Sequence, residues 1–362
     1  MGGNAMKLRL GALALLACAQ TSILTGAFAQ PAAAPTPDSL VAAAKKLAGT
    51  NFTGTLARIC IAPDNLTART PGAGRGATPR PTPERATWYA KPYRVFDNLY
   101  WVGTKVHNSW ALRTSEGIII IDTLYDYANQ AEIVDGLKTL KLDPRQIKYV
   151  IISHAHGDHD QGAALLQKNY GAHVVMGAAD WDSTLARPAT AVGGVPTRGN
   201  DDLSVGSDGA SITLGDTTVR VIATPGHTPG TLSLIFPVRD KGRSLTVAYS
   251  GGTAFNFPRV AANFQTYEDS QKKMGAAAVA AGATVLLSNH SEFDYAFDRV
   301  RAAQLPRERG ETHPFESSTD AVRRYFEMTA DCAQAQQLSM AQAFEQRPRP
   351  VDPNLRPLNA PN

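Results

Sequence analysis

Short apolar runs and longer amphipathic stretches alternate along the central part of the chain. Runs rich in β-branched residues predict buried strands at 93–102, 110–113, 118–121, 149–152, 173–176, 211–214, 217–223, 231–236, 244–249 and 284–287. Apolar residues at helical spacing predict helices at 38–48, 127–140, 161–169, 178–186, 267–281 and 319–344. Two strand-rich halves that each carry helices predict an α/β protein, an αβ/βα four-layer sandwich, although periodicity alone does not choose it over other α/β folds.

The first 29 residues have the organisation of a secretory signal peptide. Lys7 and Arg9 precede a mostly apolar run, and Ala27-Phe28-Ala29 forms a cleavage site. A membrane anchor is disfavoured because the run is short and interrupted by polar residues. A lipoprotein attached at Cys18 is disfavoured because Leu16 is atypical of such a site. We therefore expect a protein exported to the periplasm or secreted, with no membrane span in the mature chain.

Removal of this segment changes both the charge and the cysteine count. The whole chain carries a formal net charge of +4, but residues 30–362 contain 34 basic and 32 acidic side chains, which gives no reason to expect a nucleic-acid partner. The mature chain keeps Cys60 and Cys332, an even pair in an oxidising compartment. This pair predicts a disulfide between the N-terminal extension and the C-terminal helix, with two free thiols as the alternative.

Composition divides the rest of the chain into three parts. Residues 30–92 predict an N-terminal extension with an Ala/Pro linker, a short helix and a loop rich in proline and glycine at 63–87. Residues 93–345, which hold the alternating strands and helices, predict the main folded domain, and the proline-rich tail at 346–362 is expected to be disordered.

Histidines at three strand ends carry the strongest chemical signal. His154-Ala-His156-Gly-Asp158-His159 directly follows one predicted strand, His227 lies in a Thr-Pro-Gly-His-Thr-Pro-Gly turn after another, and His290 follows a third. Strand ends bring distant residues together, and clustered imidazoles with a single carboxylate suit zinc. The pattern therefore predicts a zinc site with an open position for water.

The segments HAHGDH and TPGHTPG, with the downstream Asn-His, resemble the metallo-β-lactamase superfamily over about residues 93–300. The resemblance implies the metallo-β-lactamase fold and two Zn²⁺ ions with a zinc-bound hydroxide as the nucleophile. It places His154, His156 and His227 on the first ion, and Asp158, His159 and His290 on the second. It assigns catalytic roles to Asp158, which would orient the nucleophile, and to His156, whose loss should abolish hydrolysis.

The stretch 248–256 points to one branch of that superfamily. Glyoxalase II and the acyl-homoserine lactonases have a metal-bridging aspartate there and subclass B1 β-lactamases a cysteine, but this chain has neither. It resembles subclass B3 β-lactamases, although Gly251 and Gly252 replace the serines that B3 enzymes often have. The resemblance implies hydrolysis of a β-lactam amide, and hence antibiotic resistance. The alternative is a periplasmic dizinc hydrolase of another amide, ester or lactone.

Partners and supporting residues follow from the same resemblance. We expect a small-molecule substrate and no nucleic acid, because only 62 residues separate His227 from His290, too few for an added nucleic-acid-binding domain. The oligomeric state stays open. Asp122, at the end of Ile118–Ile121, could hold a metal-bound imidazole or simply cap its strand. Other candidates near the site are Ser250, Tyr249, Asn256, Gln161 and His107, and an ordinary packing role is favoured for the last four.

Overall fold

The computed structural model describes residues 1–2, 34–61 and 81–345. Residues 3–29 of the predicted signal peptide, residues 63–80 of the loop predicted at 63–87 and the predicted tail lie outside the described residues. From Pro35 onward the described residues belong to one compact unit. None of their helices is long and apolar enough to span a membrane.

The first half of the hydrolase region forms a seven-stranded sheet. Its strands are β1 (Tyr93–Arg94), β2 (Leu99–Trp101), β3 (Trp110–Arg113), β4 (Ile118–Ile121), β5 (Ile147–Ile151), β6 (His173–Gly177) and β7 (Leu203–Val205). They lie side by side in chain order, and the pairing is antiparallel up to β4 and parallel from β4 to β7.

The second half forms a five-stranded sheet. Its strands are β8 (Ser211–Leu214), β9 (Thr217–Ala223), β10 (Leu232–Asp240), β11 (Arg243–Ser250) and β12 (Val285–Ser288), in the order β12-β11-β10-β9-β8. The long β10–β11 hairpin turns through Lys241 and Gly242, both at positive φ, as a tight hairpin turn requires. Strands β11 and β12 are parallel, so their carboxyl ends lie at the same edge.

Helices cover the outer face of each sheet. The described helices are α1 (Pro37–Ala48), α2 (Thr53–Ile59), α3 (Arg85–Trp88), α4 (Asp126–Asn129), α5 (Asp135–Thr139), α6 (Gly157–Asp160), α7 (Ala163–Tyr170), α8 (Ala178–Leu185), α9 (Ala261–Ala280), α10 (Ser291–Asp294), α11 (Ala296–Ala303) and α12 (Thr319–Glu345). Helices α4, α5, α7 and α8 pack on the first sheet, and α1, α2, α9 and α12 pack on the second.

The alternation of side chains along β4 shows why the sheets stack. Ile119 and Ile121 point into the core between the two sheets, where they meet residues such as Phe236 of β10. Ile118 and Ile120 point the other way, into the core under the helices. A strand buried on both faces must be apolar at every position, which explains the Ile-Ile-Ile-Ile run. The predicted αβ/βα sandwich is confirmed.

The described part of the N-terminal extension is packed into the second helical layer. Ala44 and Phe52 join a buried cluster with α12, and the rings of Phe52 and Tyr325 lie 5.3 Å apart, edge to face. The predicted disulfide between Cys60 and Cys332 is present and joins the end of α2 to α12. The extension is thus held by apolar packing and by a covalent bond.

The structure differs from the sequence prediction at several short elements. Strand β7 and the short helices α2, α10 and α11 have no counterpart among the predicted elements. The helix predicted at 127–140 contains a wider π turn at Gln130–Val134. Helix α9 begins at Ala261 rather than at residue 267. The short elements have only three to eight residues, and the first turn of α9 is largely exposed, so the apolar period that reveals an element is not repeated often enough.

Candidate metal centre

The sequence-predicted ligands lie together at one edge of the sandwich. His154, His156, Asp158 and His159 lie on the turn and short helix that follow β5, and His290 follows β12 directly. His227 lies in the turn between β9 and β10. Because the parallel pairs β4–β5 and β11–β12 end at this edge, residues more than a hundred positions apart in the chain meet there.

Three imidazoles form the first group. Nε2 of His227 lies 3.1 Å from Nε2 of His154 and 3.1 Å from Nδ1 of His156. His154 Nδ1 donates to the carbonyl oxygen of Gly251 at 2.9 Å, and His227 Nδ1 donates to that of Ala254 at 2.7 Å. A carbonyl oxygen can only accept, so each Nδ1 carries the proton and each Nε2 carries a lone pair.

The second group combines two imidazoles with a carboxylate. Nε2 of His159 lies 3.1 Å from Nε2 of His290 and 3.3 Å from Oδ2 of Asp158. The distance from Oδ2 of Asp158 to Nε2 of His290 is 3.2 Å. His159 Nδ1 donates to the carboxylate of Asp122 at 2.9 Å. His159 is fully buried, while the side chains of Asp158 and His290 are 15% and 21% exposed, so the group opens to solvent on one side.

The charges in the two groups fit divalent cations. Burial lowers the pKa of His154 well below its usual range and that of His227 to about 4, so both imidazoles are neutral and present facing lone pairs. Burial also lowers the pKa of His159, but Asp158 and Asp122 outweigh that effect and raise it to about 10. A cation bound beside His159 would supply the positive charge that these carboxylates favour and would release that proton.

Asp122 connects four donors behind the second group. Its carboxylate accepts from the backbone N–H of Ser153 at 2.7 Å, the Ser153 hydroxyl at 2.8 Å, His159 at 2.9 Å and the Tyr249 hydroxyl at 2.7 Å. Asp122 is completely buried and has a φ of 61°, a left-handed conformation that aspartate tolerates better than most residues. It therefore both caps the strand end and orients a predicted ligand.

The other residues expected near the site lie in different places. Ser250 is buried within 3.4 Å of the Thr253 hydroxyl, away from the imidazoles. Asn256 is exposed on the loop after β11, and among the described residues no hydrogen bond joins it to the site. A Cβ on Gly252 would lie 2.5 Å from the Cβ of His227, and one on Gly251 would lie 1.7 Å from the carbonyl oxygen of Leu232. These two glycines therefore leave no room for side chains.

The comparisons with known proteins agree with this geometry. The sequence model of the metallo-β-lactamase superfamily matches residues 102–271. The chain belongs to the metallo-β-lactamase superfamily. A subclass B3 metallo-β-lactamase of Bradyrhizobium japonicum is 26% identical, with a TM-score of 0.58 over 73% of this chain and 99% of that one.

Two further proteins are similar to this chain. A metallo-β-lactamase of Cronobacter sakazakii with a HARLDQ motif is 26% identical, with a TM-score of 0.53 over 71% of this chain and 95% of that one. A curated hydroxyacylglutathione hydrolase of Acidiphilium cryptum is 29% identical over 110 residues, 30% of this chain. The chain spans only 39% of that relative's length.

Two supporting residues of this superfamily site were missed by sequence reasoning. Asp180 on α8 accepts from the N–H of Ala155 at 2.7 Å, the N–H of Gly230 at 3.0 Å and the Thr228 hydroxyl at 2.7 Å. It thereby connects the turn after β5 to the turn that carries His227. Burial raises its pKa, an effect that these hydrogen bonds partly offset.

Arg187 supports the same turn from outside. Its guanidinium lies 2.6 Å from a carboxylate oxygen of Asp160 and donates to the carbonyl oxygen of Ala155 at 2.8 Å. Asp160 itself could be noticed in the sequence, because it directly follows the HAHGDH segment. Nothing in the sequence singles out Asp180 or Arg187.

His107 also lies at the site, although sequence reasoning favoured a packing role for it. Its Nε2 is 3.6 Å from Oδ2 of Asp158, and its side chain is 17% exposed. The ring packs edge to face on Tyr125, with centroids 5.1 Å apart. Burial, and then the neighbouring His290, lower the pKa of His107 to about 3, so it is a neutral imidazole.

Proposed function

We propose that this superfamily hydrolase is an exported two-zinc enzyme of the subclass B3 type that opens the β-lactam ring. The observation that carries the proposal is a ligand set of five histidines and one aspartate without a bridging side chain. His154, His156 and His227 would hold one ion, and Asp158, His159 and His290 would hold the other.

The glycines after β11 support the choice of branch. A bridging aspartate or cysteine would have to project from this stretch, but a Cβ on Gly252 would collide with His227. The alignment with this chain includes 99% of the subclass B3 enzyme of Bradyrhizobium japonicum, which supports the same branch.

The bound ions and the side chains would have different roles in the proposed hydrolysis. Zinc ions bound here would polarise a carbonyl group and lower the pKa of water to about 7. His159 and His290 hold the pKa of Asp158 well below its usual range despite burial, so its carboxylate is ionised and can orient the attacking water. The exposed edges of Asp158 and His290 leave a face through which a cyclic amide can approach. No side chain needs to be acylated.

The test is zinc content combined with a substrate panel. The mature chain, beginning at Gln30, is loaded with zinc, and its metal content and its hydrolysis of nitrocefin, a carbapenem and a lactone are measured. We expect two zinc ions per chain and turnover of at least one β-lactam. His156→Ala should abolish hydrolysis and remove at least one zinc equivalent. His173→Ala, a histidine packed on Tyr149 away from the site, is the matched control.

A second candidate function is hydrolysis of another ester, thioester or lactone. The match to a hydroxyacylglutathione hydrolase favours it, and the panel therefore includes a hydroxyacylglutathione thioester. Full zinc loading with thioester or lactone turnover, but no turnover of any β-lactam, would reject the β-lactamase proposal and support this one.

Export is a separate part of the proposal. The residues that support it are the basic and apolar pattern before Gln30 and the Cys60–Cys332 disulfide, a bond typical of oxidising compartments. Expression of the full chain in a Gram-negative host should give a periplasmic protein whose mass corresponds to a first residue at Gln30. A full-length product in the cytoplasm would reject export.

A further inference from the structure

We propose that His107 is a ligand of the second metal position, which would then have four protein ligands, His107, Asp158, His159 and His290. This inference rests on the proposed two-metal centre and adds a residue to it. It is carried by the position of the His107 ring, by the backbone that fixes this position, and by a separation from Asp158 that suits shared coordination better than a hydrogen bond.

The backbone fixes His107 opposite His290. The two residues form an isolated antiparallel bridge, in which Ser291 N–H donates to the carbonyl oxygen of Val106 at 2.8 Å and Asn108 N–H donates to that of Asn289 at 2.8 Å. Their ring centroids lie 5.0 Å apart. The loop that carries His107 is therefore tied to the loop that carries a predicted ligand, so the two imidazoles are held together.

The local turn around His107 is rigid. The backbone N–H of His107 donates to the Thr104 hydroxyl at 2.8 Å, and its carbonyl oxygen accepts from the Thr104 N–H at 2.8 Å. A Cβ on Gly103 would lie 2.7 Å from that same carbonyl oxygen, so the turn needs glycine there. Such a preorganised turn costs little conformational entropy when the imidazole binds an ion.

The distances favour ligation. The 3.6 Å between His107 Nε2 and Asp158 Oδ2 is too long for a side-chain hydrogen bond. Two ligands of one zinc ion, each about 2.0–2.1 Å from the metal, lie roughly 3.3 Å apart in a tetrahedral site. The 3.1–3.3 Å separations among Asp158, His159 and His290 match that value, and His107 lies on the Asp158 and His290 side of this set, with its ring centroid 6.4 Å from that of His159. The candidate ligand atoms of His107, Asp158 and His290 all lie within 4.8 Å of one another.

A fourth protein ligand would change the character of the second position. Sites closed by four protein ligands hold zinc firmly, whereas three ligands leave a place for water or substrate. His154, His156 and His227 would leave such a place at the first position, and the second would bind its ion more tightly. The two positions would then differ in affinity as well as in ligand type.

The experiment counts the ligating imidazoles directly. The mature chain is loaded with Co²⁺, and the ring resonances shifted by the paramagnetic ion are counted by NMR in wild type, His107→Ala, His107→Asn and the control His173→Ala. The dissociation constant of the second zinc ion is measured for the same proteins by competition with a chelator, and circular dichroism verifies folding.

We expect six shifted imidazoles in wild type and in His173→Ala, five in the His107 variants, and a second zinc ion held at least about tenfold more weakly in those variants. The count in wild type does not depend on whether any variant folds. Five shifted imidazoles in wild type, with two ions bound, would overturn the inference and leave the two-metal centre intact. Fewer than two ions bound by wild type at saturation would overturn both.

Discussion

Replacing Asp122 by asparagine should weaken the second metal position selectively. One oxygen of the carboxylate, Oδ2, accepts from three donors, the hydroxyls of Ser153 and Tyr249 and Nδ1 of His159. The other oxygen, Oδ1, accepts from the backbone N–H of Ser153. An asparagine keeps the shape of the side chain but replaces one of these acceptors with an NH₂ donor, so one side of the carboxylate must lose its hydrogen bonds.

Both orientations of the asparagine are costly. With the amide nitrogen at the Oδ2 position, His159 must accept at Nδ1 and carry its proton on Nε2, where it can no longer bind a metal ion. With the amide nitrogen at the Oδ1 position, its N–H faces the backbone N–H of Ser153, and His159 donates to an uncharged amide oxygen instead of a carboxylate. A lost charge-assisted hydrogen bond in a fully buried site costs about 1.5–3 kcal/mol. Partners of metal-bound histidines typically contribute about 10–100-fold in metal affinity.

The assay is stepwise zinc binding by the Asp122→Asn protein, measured by competition with chelators of graded affinity. The second ion should bind about 10–100-fold more weakly, equivalent to about 1.4–2.7 kcal/mol, while the first ion should bind within about threefold of wild type. Asp180→Asn is the comparator, because Asp180 holds the turns of the first group and contacts none of the imidazoles. A second ion bound as tightly as in wild type would refute the reasoning.

Three further predictions concern stability and packing. The double variant Cys60→Ser/Cys332→Ser should lose about 3–5 kcal/mol of unfolding free energy in denaturant titrations, because the bond closes a loop of 272 residues. Burial raises the pKa of Glu132 to about 8, so the native state holds a proton that the unfolded state loses above about pH 4.5. The unfolding free energy of the wild type should therefore fall by about 4 kcal/mol between about pH 5 and about pH 9, and Glu132→Gln should remove this fall; an equal effect of the substitution at both pH values would contradict this. Gly252→Ala should displace His227 and thereby lower zinc content and activity at least about tenfold. Gly206→Ala is the control, because a Cβ at Gly206 meets nothing within 4 Å, and it should leave both quantities unchanged.

The arrangement of the candidate metal centre was predictable because its proposed ligands come in a compact sequence pattern at strand ends. Ile118–Ile121 and the apolar residues of β5 indicate buried neighbouring strands, and the residues that follow them must emerge at one edge. This is why Asp122 and His154 could be expected close together from the order of residues alone. The periodicity that marks the strands thus also locates the site.

His107 could not be predicted in the same way. Its position depends on the bridge to His290, between residues 183 positions apart, and on a turn in which Gly103 allows a close approach of the backbone. Neither feature has a periodic signal. Asp180 was missed for a related reason, because a buried carboxylate on a short helix can be recognised only when the backbone N–H groups that donate to it are known.

The surroundings of the two ligand groups give them different charges. Burial keeps His154 and His227 of the first group neutral, and the acceptors behind them are the uncharged carbonyl oxygens of Gly251 and Ala254, so an ion bound there would keep its full double charge. The second group involves two carboxylates, because Asp158 belongs to it and Asp122 accepts a hydrogen bond from Nδ1 of His159. Because nearby negative charge reduces the field that a bound cation exerts, an ion at the first position would polarise a substrate carbonyl more strongly, and an ion at the second would mainly hold water in place. In the proposed two-ion centre, the hydrogen-bond acceptors behind the histidines would therefore make the two metal positions unequal.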